Sequence, residues 1–151
     1  MDIRKLMAGA AIALCLGLPT GATALEVKQS GKSVTETMDA LVAAVEGAGA
    51  KVVARIDHAS NAEGAGLELR PTQKLIFGNP ALGSQAMLAD QRAGLKLPMM
   101  VLVYEDEAGD VWVTYEAPAD LFEGMEAIDP EAEFAMKMTG ALDMLTAKAI
   151  E

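Results

Sequence analysis

The sequence predicts an α+β fold: a mostly antiparallel sheet with two main helices packed on one of its faces. Apolar residues recur at helical spacing at Val34, Met38, Leu41, Val42 and Val45, and again at Phe134, Met138, Ala141, Leu142 and Leu145. Between these stretches lie short β-branched and apolar runs, punctuated by Gly, Pro, Asn and Asp. Two amphipathic helices on one side of a sheet is the economical way to bury both sets of apolar faces.

The first residues stand apart from that fold. In MDIRKLMAGAAIALCLGLPTGATA, Arg4 and Lys5 form a basic start, and Leu6 to Leu18 an apolar run too short to span a bilayer. Ala22-Thr23-Ala24 then offers a small-x-small cleavage site. Residues 1–24 therefore read as a secretory signal peptide and 25–151 as a single domain. The protein is expected to be exported, periplasmic in a Gram-negative source and otherwise secreted. Cys15 raises a lipoprotein alternative, but Leu14 before it is a poor fit to the small residue such a signal wants.

The chain beyond residue 24 has no cysteine, so its stability must rest on an apolar core. The leader carries Asp2, Arg4 and Lys5, a net of +1, so its removal takes the formal charge from -10 to -11. An acidic surface repels phosphate backbones and anionic headgroups, which argues against nucleic-acid binding and, after signal cleavage, against membrane binding.

Leu25 to Gln29 reads as a short strand ended by Gly31. Ser33-Val34-Thr35-Glu36 is a capping-box pattern opening the first helix, which Gly47 and Gly49 stop. Lys51 to Asp57 is the next strand, carrying Arg55 either outward or into a site. HASNAEGAG suits a short helical turn or a loop, and LELR and then QKLIF read as further strands. LPMMVLVYE is too apolar to be half exposed, so it is expected to be a central strand covered on both faces. A turn at Asp106 to Asp110 returns the chain into VWVTYE as a hairpin, and Pro118 ends that strand. Asp129-Pro130-Glu131 carries the cap, first-turn proline and acid that open a final helix.

The stretch DHASNAEGAGLELRPTQKLIFGNPALGSQAM, followed by LPMMVLVYEDEAGDVWVTYE, resembles the family named domain of unknown function 302. The likeness rests on an Asp-His pair followed by Ala and Asn, Leu-x-Leu-x-Pro-Thr, Ile-Phe-Gly-Asn-Pro, and a Leu-Pro strand ending in an acidic hairpin. It covers Val34 through Tyr115. The resemblance implies a TATA-binding-protein-like fold, with a curved sheet and two helices in the order β-α-β(4)-α. It does not import DNA binding, because fold does not fix function. One departure is visible: Ser84-Gln85-Ala86-Met87 stands where the family more often has Thr-Pro-Leu-Met, so any pocket wall built there differs.

Asp57-His58-Ala59-Ser60 holds the residue types of a hydrolytic triad, but neighbours on a strand point to opposite faces. His58, the single histidine, can serve as a general acid or base or can tie its loop to the sheet. One histidine and no cysteine beyond the leader do not make a transition-metal site, and the Glu105 to Asp110 turn lacks the spacing of a calcium loop. No cofactor is expected. Asn79 and Pro80 suit the start of a short helix, whose amides can either be capped or hold an anion.

Three readings stand. The first is a binding or interaction module, with His58, Asn61, Arg70 and Asn79 lining a shallow pocket for a small molecule or anion. The second is an enzyme using His58 as its acid or base, with Arg55 or Arg70 holding an anionic substrate. The third is a purely structural homodimer; a homodimer is also the expected assembly in the first.

Overall fold

The computed structural model describes residues 25–151. The leader read at 1–24 lies outside the described residues. Strand β1 (Leu25–Ser30) leads to α1 (Val34–Gly47), β2 (Lys51–Asp57) and the short α2 (His58–Gly64). Then come β3 (Thr72–Gly78), α3 (Pro80–Ala89) and a 3-10 turn (Gln91–Leu95). The hairpin of β4 (Met99–Glu105) and β5 (Val111–Glu116) precedes the single-turn α4 (Pro118–Leu121) and the long α5 (Glu133–Ile150). The five strands of the described residues form one sheet in the order β1-β5-β4-β3-β2, with every neighbouring pair antiparallel.

Local chemistry sets the element starts. Ser33 Oγ accepts the Glu36 amide while Glu36 Oε2 accepts the Ser33 amide, the reciprocal cap read from the sequence. Asp57 Oδ1 accepts the Ser60 amide at 2.9 Å and so opens α2. In the hairpin, Asp106 Oδ1 accepts the amides of Ala108 and Asp110, and its Oδ2 accepts the Trp112 indole N–H at 2.7 Å. These bonds, the indole first, hold the Asp106 carboxyl below its ordinary range. The acidic turn is thus a locked hairpin tip, with Gly109 at φ 85° supplying the left-handed step.

α1 and α5 pack on each other and against the same side of the sheet. Alternate residues of the strands point at them: Leu75 and Phe77, Val101 and Val103, Val113 and Tyr115. Met38, Leu41 and Val45 of α1 and Leu142 and Leu145 of α5 complete the core. At about 1.5–3 kcal/mol per fully buried side chain, this layer is the main source of stability in a domain without disulfides.

Three expectations need correction. LELR is not a strand, because β2 pairs directly with Thr72–Gly78 partners and leaves residues 67–70 no neighbour, so Leu67 and Leu69 are exposed. The final helix starts at Glu133, after the Asp129 side chain has closed a separate turn on the Glu131 amide. Finally, β4 is the central strand, but its own chain covers it on one face: Met99, Val101 and Val103 are buried while Met100 is 41% exposed.

Candidate functional site

One end of the sheet holds an apolar pocket of about 330 Å³. It forms because β3 ends at Gly78 and the chain then folds back as α3 and the 3-10 turn, instead of entering the next strand directly. Phe77 and Met99 contribute the sheet side, and Met138, Ala141, Leu142 and Leu145 of α5 form one wall. Leu82, Gly83, Ser84 and Met87 of α3 form a second wall with Leu97 and Pro98. Ala48, Ala50, Lys51 and Val53 close the remaining side, and among the described residues Lys51 is the one charged residue of the lining.

Glycines stand where the segments beside α3 come close. A Cβ on Gly78 would stand 3.4 Å from Pro98 Cβ, and one on Gly94 would stand 3.3 Å from Met87 Sδ. The Gly78 distance is an ordinary van der Waals contact, whereas the Gly94 one is tight against the movable end of the Met87 side chain.

The Gly78-Asn79-Pro80 turn both redirects the chain and lines the pocket. Asn79 Oδ1 accepts the Ala81 amide at 2.9 Å, and the Asn79 carbonyl accepts the amides of Leu82 and Gly83. Pro80 has no amide hydrogen. The first turn of α3 is thus fully satisfied internally and offers no free N–H to an anion.

The other residues singled out in the sequence lie at the opposite end of β3. Lys51 pairs with Gly78 at one end and Asp57 with Gln73 at the other, a separation of about 17 Å at ~3.4 Å per residue. His58 is half-buried at the first position of α2, and Asn61 is exposed one turn later. Arg70 is exposed, its Nε donating to the Glu105 carbonyl at 3.1 Å. The groove beside them is lined by Asp57, Glu63, Glu68 and Arg70, acidic overall and poorly suited to an anion. Asn79 does not join this group.

Arg55 points at the helix side, where Nη1 bonds Asp39 and Nε and Nη2 donate to Gln73 Oε1 at 3.0 and 2.7 Å. Gln73 Nε2 in turn donates to Asp57 Oδ2 at 3.3 Å. This chain ties α1, β2, β3 and the start of α2 together, so Arg55 and Asp57 are engaged in structure. Among the described residues there is no group of three or more His, Cys, Asp or Glu placed to hold a metal ion.

The pocket walls were not legible as a site in the sequence. Leu82, Met87, Met138 and Ala141 look like ordinary core residues in one dimension, and only Gly83, Ser84 and Gly94 hint at space left open. Within the segment Ser84-Gln85-Ala86-Met87, Ser84 and Met87 both line the cavity.

A family model described as domain of unknown function DUF302 matches residues 25–145. A protein of Brucella suis named fluoride-specific ion channel FluC 1 is 42% identical over 91 residues, 60% of this chain and 36% of that protein. A Brucella melitensis protein named fluoride-specific ion channel FluC 2 is 42% identical over 91 residues, 60% of this chain and 34% of its own length. The chain thus spans about a third of the length of the curated relatives it matches. No helix among the described residues is long and apolar enough to cross a membrane. The crystal structure of an uncharacterized conserved DUF302 protein from Bacillus stearothermophilus superimposes with a TM-score of 0.75 at 20% identity, covering 85% of this chain and 99% of that one.

Proposed function

The chain belongs to the family described as domain of unknown function DUF302, and we propose that it is a binding module for a small apolar molecule held between α3, α5 and the end of the sheet. The observation that carries this reading is the pocket of about 330 Å³. Its size lies in the range of small-molecule sites, and its walls are mainly apolar with few polar groups, as such sites require. Water gains little in a space of that lining, whereas an apolar guest gains about 0.8 kcal/mol per CH₂ removed from water.

An apolar guest is favoured over an anion because the α3 amides are already bonded and the groove beside Arg70 is acidic. Lys51 at the pocket can meet one polar group of the guest and fix its orientation. The secretory leader read in residues 1–24 supports a site of action outside the cytoplasm, in the periplasm if the source is Gram-negative. In the Brucella relatives the matching segment is part of a longer protein, which suits a self-contained module attached to another function.

The test is a titration with the neutral fluorophore N-phenyl-1-naphthylamine, whose emission rises in apolar surroundings. Saturable enhancement at one site per chain, lost in Leu82→Lys, supports the reading. Enhancement that does not saturate, or that Leu82→Lys leaves unchanged, overturns it. Native mass spectrometry of protein purified gently from the exported fraction then identifies a retained guest.

A further inference from the structure

Among the described residues no element covers the sheet face opposite the helices, yet much of that face is apolar where an exposed antiparallel sheet is ordinarily polar. Val27, Leu102 and Ile56 share one cross-strand row of this face, and Met100 and Ile76 lie in the next. Val27 is 50% and Met100 41% exposed. The unbroken apolar run of β4 has the composition of a strand covered on both sides, and its own helices cover only one.

We propose that a second copy of this chain covers the open face, packed sheet to sheet about a two-fold axis running along β4. Charge complementarity selects this occupant. The charge lies on the strands that flank β4: Lys74 on β3 opposite Leu102, and Glu116 on β5, opposite Leu25 and one same-face step beyond Thr114. Neither forms an ion pair within the described residues of its own protomer. A two-fold axis along β4 lays β5 of one copy over β3 of the other, and each Glu116 then faces the strand bearing the partner's Lys74. The offset is one same-face step of about 7 Å across sheets packed ~10 Å apart, within reach of two long side chains.

An isologous contact repeats the pair on both sides of the axis. Elsewhere the chain is strongly acidic, with a formal charge of -10, so two copies repel except where such a weakly charged face is presented. Five strands at ~4.8 Å spacing and about six residues long give a projected face of roughly 20 by 20 Å. Both copies together then cover about 800 Å² by this projection, the size of a weak, reversible contact.

Sedimentation velocity of the purified exported protein tests this, with thermal melts confirming that each variant folds. The expected result is a dimer that Met100→Glu converts to monomer. Glu116→Lys and Lys74→Glu each raise the dissociation constant about tenfold, by turning an attraction repeated twice into a repulsion. The double swap Glu116→Lys with Lys74→Glu restores the dimer, a rescue that a merely structural effect does not produce. A monomer at about 100 µM overturns the proposal, as does a dimer indifferent to Met100→Glu and to the swaps. The pocket lies on the helix side of the sheet, so this result is independent of the apolar-ligand reading.

Discussion

Replacing Ala141 with leucine should make the protein more stable while removing its binding capacity. Ala141 is partly exposed on α5 and lines the pocket, so a larger side chain there grows into open space and not into packed atoms. Leucine adds three carbons, worth about 2.4 kcal/mol at ~0.8 kcal/mol per buried CH₂. Rotamer entropy and the small loss of helix propensity remove roughly 1 kcal/mol of this. The net expectation is about 1–1.5 kcal/mol of added stability, or roughly 4–6 °C in Tm for a domain of this size. The same side chain occupies volume the guest needs and should weaken N-phenyl-1-naphthylamine binding at least tenfold, about 1.4 kcal/mol. Urea denaturation and fluorescence titration read the two effects separately. Destabilisation by 1 kcal/mol or more would mean that the wall is already packed, and unchanged affinity would place the guest elsewhere; either refutes the reasoning.

Further outcomes follow from the same geometry. Asn79→Ala removes the side-chain cap on the Ala81 amide and should cost about 1 kcal/mol in urea denaturation, with weaker probe binding as the α3 wall loosens. His58→Gln should leave probe affinity unchanged, since His58 lies at the far end of β3; a loss of affinity would move the binding site to that end. The Tyr115 hydroxyl donates to Asp143 Oδ1 at 2.7 Å and, with Lys28, holds that carboxyl below its ordinary range. A depressed folded-state value stabilises above the unfolded value and is lost as pH falls through the folded one. Tyr115→Phe should therefore lower stability at pH 7, and the difference from the parent protein should shrink below about pH 4, as measured by urea denaturation across pH.

The strands and both long helices were legible because periodicity and caps act locally: Ser33 and Glu36 satisfy each other, and Val34, Met38, Leu41 and Val45 share one face by spacing alone. LELR failed because alternation says nothing about whether a partner strand is free, and β2 had already paired with β3. Asp129 behaved as a cap, but for a turn placed just before the helix.

The pocket was illegible for a related reason. Met99 of β4, Leu82 of α3 and Leu142 of α5 come from three distant segments, and a methionine or leucine beside a cavity has the same local pattern as one in packed core. Polar residues are more conspicuous in one dimension. Yet Asn79 is engaged as a cap, and Arg55 and Asp57 in the network through Gln73.

The most direct test of the pocket is a methyl spectrum of protein labelled at methionine, recorded as N-phenyl-1-naphthylamine is added. Met87, Met99 and Met138 line the cavity, whereas Met100 lies on the open sheet face and Met136 and Met144 are exposed on α5. The account predicts saturable shifts of the first three, with Met100, Met136 and Met144 unmoved. Shifts confined to the second group, or no saturable shift at Met87, Met99 and Met138, would contradict it.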